Sequence, residues 1–350
     1  MRSPIHYVFF YVFPLLWVIG AYLGGLWHYL TVFMAYVCVP LLDQIIGPKP
    51  RFVAKESYKD LAKDKRYRIA LYLYAPINIG LVIWGAYFVS SKDLALYEWA
   101  GFVVSSALMT GGLGMTVAHE LCHSPKRFEQ LLADMLLIPV CYMHFSIEHV
   151  FGHHSRVATK EDPATARLGE SLYRFIPRSI FGGIKSAFYL EAHRLKKRRK
   201  SLFSIDNKMI WYTITPALFA VFLYSLFGVW ALVYFLVQAF IGFNYLEVIN
   251  YVEHYGLMRK KDENGRYEKT SHLHSWNSDH IISNHLLFGL PTHSDHHASS
   301  RKPYQTLQSI KGSPQLPASY GAMMPLAFFP FLWRRVMDHR VKDRFAGGVV

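Results

Sequence analysis

The chain has 350 residues, with 38 Lys+Arg against 24 Asp+Glu and a formal charge of +14. Only 18% of residues are charged while 16% are aromatic, which excludes a disordered chain and argues against an ordinary soluble domain. The three cysteines, Cys38, Cys122 and Cys141, form no C-x-x-C pair, so a disulfide framework, a zinc ribbon and an iron–sulfur or rubredoxin-type site are excluded. Any electrons must come from another protein. The basic charge sits in segments beside long uncharged stretches and accompanies no nucleic-acid-binding motif. It therefore reads as membrane-surface charge, with no nucleic-acid partner.

In chain order, Tyr7–Trp27 is uncharged, and its length and large aromatics suit a membrane anchor better than a cleaved signal peptide. Tyr29–Leu42, extended by Ile45 and Ile46, completes a hairpin after it. Ile69–Ser90 and Trp99–Ala118 are likewise uncharged, long enough to cross ~30 Å of hydrocarbon at ~1.5 Å per residue. Met209–Leu246 is too long for one span and divides at Gly228 into two. The expected fold is all-α: six transmembrane helices with a cytoplasmic helical cap.

The segment 48–68 carries Lys49, Arg51, Lys55, Lys59, Lys63, Lys65, Arg66 and Arg68, and 155–208 carries the run Lys196–Lys200. The connection at 91–98 has only Lys92, and the turn near Gly228 has no basic residue. Both termini and the polar regions 119–208 and 253–350 are therefore expected in the cytoplasm. This gives one membrane-embedded catalytic domain. Residues 1–118 hold four spans, 119–208 a histidine region, 209–252 two spans and 253–350 a second histidine region. Leu131–Ile147 and Met323–Trp333 are read as dipping or interfacial helices.

Of 18 histidines, half fall into four groupings. His119-Glu120-Leu121-Cys122-His123 sets two rings at i and i+4 on one helical face. His149-Val150-Phe151-Gly152-His153-His154 repeats that spacing with an adjacent ring. His254 follows the sixth span, and His293-Ser294-Asp295-His296-His297 closes the set. Imidazole ligates iron, copper and zinc well, and nine rings exceed one ion's needs, so two metal ions are expected. His6, His28, His193 and His339 read as ordinary polar residues. HELCH also matches the H-E-x-x-H helix of zinc proteases, with Glu120 as general base. A membrane zinc protease and a membrane di-iron desaturase are therefore the competing readings.

The motifs HELCH (119–123), EHVFGHH (148–154), NYVEHYGL (250–257) and THSDHHA (292–298), with EDPATARLGESLYRF (161–175) and HSWNSDHIISN (274–284), resemble the integral-membrane alkane 1-monooxygenases. These belong to the fatty acid desaturase/hydroxylase superfamily. The resemblance covers most of the chain and separates it from the desaturases and, less sharply, from xylene-methyl monooxygenases. It implies a non-haem di-iron centre ligated by His119, His123, His149, His153, His154, His254, His293, His296 and His297. It implies terminal hydroxylation of medium- to long-chain n-alkanes with O2 as co-substrate, in a bacterial inner membrane. Electrons would come from rubredoxin, itself reduced by a NAD(P)H-dependent reductase. The sequence departs from the family at Cys122, at Pro291-Thr292 and at the extra His285.

Carboxylates beside the motifs, Glu120, Glu148, Glu253, Asp279 and Asp295, are candidates to receive the outer ring N–H of ligand histidines. His274 and His280 are further candidates for that outer layer. An alkane channel between spans is expected to reach the metals, with Ala35, Gly80 and Gly112 as candidate lining residues. The basic surface offers anionic lipid a partner and an acidic electron donor a docking face.

Overall fold

The computed structural model describes residues 3–346. Six helices are long and apolar enough to cross a membrane: α1 Pro4–Leu23, α2 Gly25–Ile46, α3 Arg66–Ser91 (preceded by a short helix Lys55–Lys63), α4 Leu96–Cys122, α5 Lys208–Phe227 and α6 Val229–His254. Among the described residues no strand forms, and only isolated bridges such as Pro48 with His280 pin the loops.

The breaks follow glycine. Gly24 (φ +70°) and Gly25 (φ +58°) end α1 before Trp27, where the uncharged run alone had placed the end. That backbone region disfavours residues with a Cβ. Gly228 (φ +80°) makes the turn between α5 and α6 where the sequence divides.

Burial is unequal among the spans. α4 is largely enclosed, whereas α2 and α5 present most of their surface outward. α4 and α6 meet at glycines: a Cβ on Gly111 would lie 2.1 Å from the Gly242 carbonyl oxygen. Such small-residue contacts let membrane helices approach closely. Both helices continue past the apolar zone, so positions 118 and 252, expected as boundaries, fall within them. α4 carries His119 in its last turn and α6 carries His254 at its end.

The two ambiguous apolar stretches are not spans. Arg127–Leu137 buries Ala133, Leu136 and Leu137 and leaves Phe128 and Leu131 exposed. Within Met323–Trp333, Met323 and Trp333 join a core with Tyr251 and Tyr255, while Phe328, Phe329, Phe331 and Leu332 face outward.

Candidate metal centre

The helical winding at the centre departs from α geometry. Leu108–Gly114, just before the first histidine motif, and Glu148–His153, the second motif itself, are π-helical. π-turns concentrate at functional sites. Their i→i+5 bonding aligns residues five apart. His149 and His154 therefore serve one cluster, while His153 turns to another. His149 and His153 stand at i,i+4 in sequence, and the π-turn separates them.

Nine rings converge in two groups. His119, His123, His149, His154 and His296 form one; His153, His254, His293 and His297 form the other. In the first, Nε2 of His149 lies 3.1 Å from Nε2 of His123 and 3.1 Å from that of His154, and Nε2 of His154 lies 3.1 Å from that of His296. In the second, Nε2 of His297 lies 3.0 Å from that of His293 and 3.3 Å from that of His153, and His293 lies 3.2 Å from His254. Nε2 of His119 is buried without a hydrogen-bond partner.

A neutral ring can carry its proton on only one nitrogen, so protons cannot satisfy this many converging Nε2 atoms. A cation held by each group would satisfy them. The donor set fits metals that accept imidazole: iron, copper or zinc.

Burial disfavours the charged form of six of these rings, and ligands must be neutral. It pushes His123 down to about 3 and holds His149, His154, His293, His296 and His297 well below the usual histidine range, with neighbouring rings adding repulsion.

The carboxylates sort differently from their sequence positions. Glu120 pairs with Arg68 at 2.9 Å and accepts from the Tyr304 backbone N–H, so it is turned away from the rings. That removes the general base a zinc protease would need in this motif. Glu148 pairs with Arg156 at 2.7 Å, and burial raises its carboxyl to about 7. Asp279 accepts from the Ser309 hydroxyl, and Asp295 from Lys302 and the Gln308 N–H. His274 meets Ser271 and Glu268, and His280 meets Ser278. The side-chain hydrogen bonds of these six residues are with partners other than the converging rings, while the His274 backbone meets the His254 ring. Glu253 differs: its Oε2 lies 3.1 Å from Nε2 of His293, on the metal-facing side, while Oε1 accepts from Tyr320.

The outer carboxylate that sequence reasoning missed is Asp162. Buried, it receives Nδ1 of His153 at 2.9 Å and the Thr165 hydroxyl at 2.6 Å. Its signal was present in EDPATAR, nine residues after the ring it holds. His285 packs on His6 and Tyr7, away from both groups, and the Cys122 thiol meets the His119 carbonyl oxygen.

An apolar chamber, partly open, lies between the spans, lined by Ala35, Leu108, Gly112, Leu286, Leu287 and Met324 among others. A second cavity shares Gly112 and Ile249 with it and reaches His119, His149 and His293. Ala35 and Gly112 thus line the route expected from sequence. Gly80 does not, since a Cβ there would meet open space.

The Fatty acid desaturase family matches residues 97–327. The chain is 41% identical over 324 residues to Alkane 1-monooxygenase 1 of Pseudomonas aeruginosa, covering 92% of this chain and 85% of that protein. It is 37% identical over 310 residues to an Alkane 1-monooxygenase of Acinetobacter baylyi, covering 89% and 76%. It is 29% identical over 326 residues to the xylene/toluene monooxygenase hydroxylase component of Pseudomonas putida, covering 90% and 83%. A chain of six spanning helices and two histidine clusters, similar over nearly its whole length to these enzymes, belongs to the alkane 1-monooxygenase family within the membrane fatty acid desaturase superfamily.

Proposed function

We propose that the protein hydroxylates n-alkanes at the terminal carbon, giving primary alcohols, with two irons held by the nine histidines. The observation that carries this reading is the apolar chamber between the spans, beside a small cavity that shares Gly112 and Ile249 with it and is lined by His119, His149 and His293. A terminal methyl offers no acidic proton and no polar handle, so side-chain acid–base or nucleophilic chemistry has nothing to act on. Bound iron supplies O2 activation and the oxidising power for the C–H bond.

The chain's own residues do the rest. Leu108, Leu286, Leu287 and Met324 bind the alkane and exclude water. Gly112 lines both cavities. Asp162 holds the proton on Nδ1 of His153, leaving Nε2 for metal. The alkane enters from the bilayer. The Lys/Arg distribution supports a bacterial inner-membrane orientation with both termini and the histidine cap in the cytoplasm. There rubredoxin, recharged by its NAD(P)H-dependent reductase, delivers electrons.

Metal content of the detergent-solubilised protein, with product analysis from octane and dodecane in the presence of O2, NADH, rubredoxin and its reductase, tests the reading. About two irons per chain and 1-alkanols are expected. One zinc and no alcohol overturns it. Ala35→Trp narrows the chamber, so the longest alkane accepted becomes shorter; an unchanged product profile rules out this route.

A further inference from the structure

Hydroxylation as proposed above balances as RH + O2 + 2 e⁻ + 2 H⁺ → ROH + H2O, so two protons must reach the metals and one water must leave. The apolar chamber suits neither. A different cavity adjoins the centre, lined by Tyr142, His144, Glu148, Ser179, Gly183 and Glu247, and it touches His149 and His153, one ring from each group. It shares no lining residue with the apolar chamber.

Glu247 is its unusual member. It lies in α6, within a membrane-spanning segment, and is 2% exposed. Tyr142 donates to its Oε1 at 2.8 Å and Ser179 and Asn250 stand beside the carboxylate, yet Oε2 makes no well-formed hydrogen bond, and neither does Oε2 of Glu148 across the same cavity. An ionisable group inside a span is costly unless water or a partner meets it, and unpartnered buried oxygens carry a desolvation cost. Two carboxylates, the Ser179 hydroxyl and His144 around one space give a water the two to four polar partners it needs. At the Glu148 end, Arg156 bonds Glu148 Oε1 and the Ser186 hydroxyl and is itself 30% exposed, so the polar chain reaches solvent.

We infer that this cavity is the aqueous port of the metal centre, through which protons enter and product water leaves, with Glu247 as the residue that positions its water. Alkane and water then approach the centre through different cavities that meet at His149 and Asn250, and the port rests on the hydroxylase reading only for the fate of its protons.

Two variants of the full-length protein test it. Gly183→Leu fills the port without removing a polar group, because a Cβ at Gly183 meets only Glu148 Cγ, at 3.9 Å. Glu247→Leu removes the positioning carboxylate, and Glu247→Gln is its conservative control. Cryo-electron microscopy of the detergent-solubilised protein should show ordered water against Glu247 in the wild type and none in Gly183→Leu. With bound metal and melting temperature retained, kcat should fall about tenfold in Gly183→Leu and Glu247→Leu. Hydrogen peroxide per NADH should rise, alkane KM and product length should hold, and Glu247→Gln should recover part of the loss. A dry or lipid-filled cavity overturns the port, as does a filled Gly183→Leu cavity with wild-type kcat and coupling. If the wild type makes no alkanol, the hydroxylase reading fails separately, and the water density alone decides the port.

Discussion

The two histidine groups solve one problem in different ways. The five-membered group is made of rings alone and leaves His123 and His154 partly exposed. The four-membered group is fully buried, and it has carboxylates against it: Asp162 behind His153 and Glu253 beside His293. A divalent cation in a buried site gains from nearby negative charge, whereas a site at the surface keeps some solvation from water. Fewer rings with carboxylates, or more rings without them, both compensate the ion.

Removing one ring from each group breaks the comparison most sharply. His254→Ala leaves three rings in the buried group, and His123→Ala leaves four in the other. Loss of metal and activity in His254→Ala should exceed the roughly 10–100-fold typical of an outer partner. His123→Ala should keep more of its second metal. Metal analysis beside turnover checks this, and equal losses would contradict a difference between the groups.

A smaller effect is expected at Asp162→Asn, which leaves all nine rings in place. Affinity at the four-membered group should fall about 10–100-fold with the other group unchanged. Competition with a chelator should then show two release phases where the wild type shows closer ones. A single unchanged phase would assign Asp162 to loop structure through Thr165 alone.

The smallest effect concerns the metal-free protein. His123 is held near 3 and His144 near 4 by burial, while an unfolded chain protonates histidine near 6.5. Between those values the unfolded state binds more protons, so stability should fall as pH drops below about 6.5. Glu148, pushed up to about 7, and Asp134, also raised by burial, oppose this, but more rings than carboxylates are shifted. The apo melting temperature should therefore fall from pH 7 to pH 5, with metal-loaded protein resisting the change until its ligands protonate. A flat apo profile would mean that the rings are hydrated.

The amino-acid sequence alone determined the spans, the turn at Gly228 and the nine ring positions, because span length, glycine and imidazole spacing are local properties of the chain. Helix ends were less legible: Gly24 and Gly25 stop α1 by backbone conformation, while hydropathy continues unbroken past them. Tertiary structure alone decided how the rings divide. His149 and His153 stand at i,i+4, yet π-winding sends them to different groups. It also decided which carboxylates matter. Glu120 adjoins a ring in sequence but pairs with Arg68 of α3, whereas Asp162, nine residues from His153, folds back onto its Nδ1. Adjacency along a helix points neighbouring side chains in different directions, so a ring's outer partner is chosen by packing between segments.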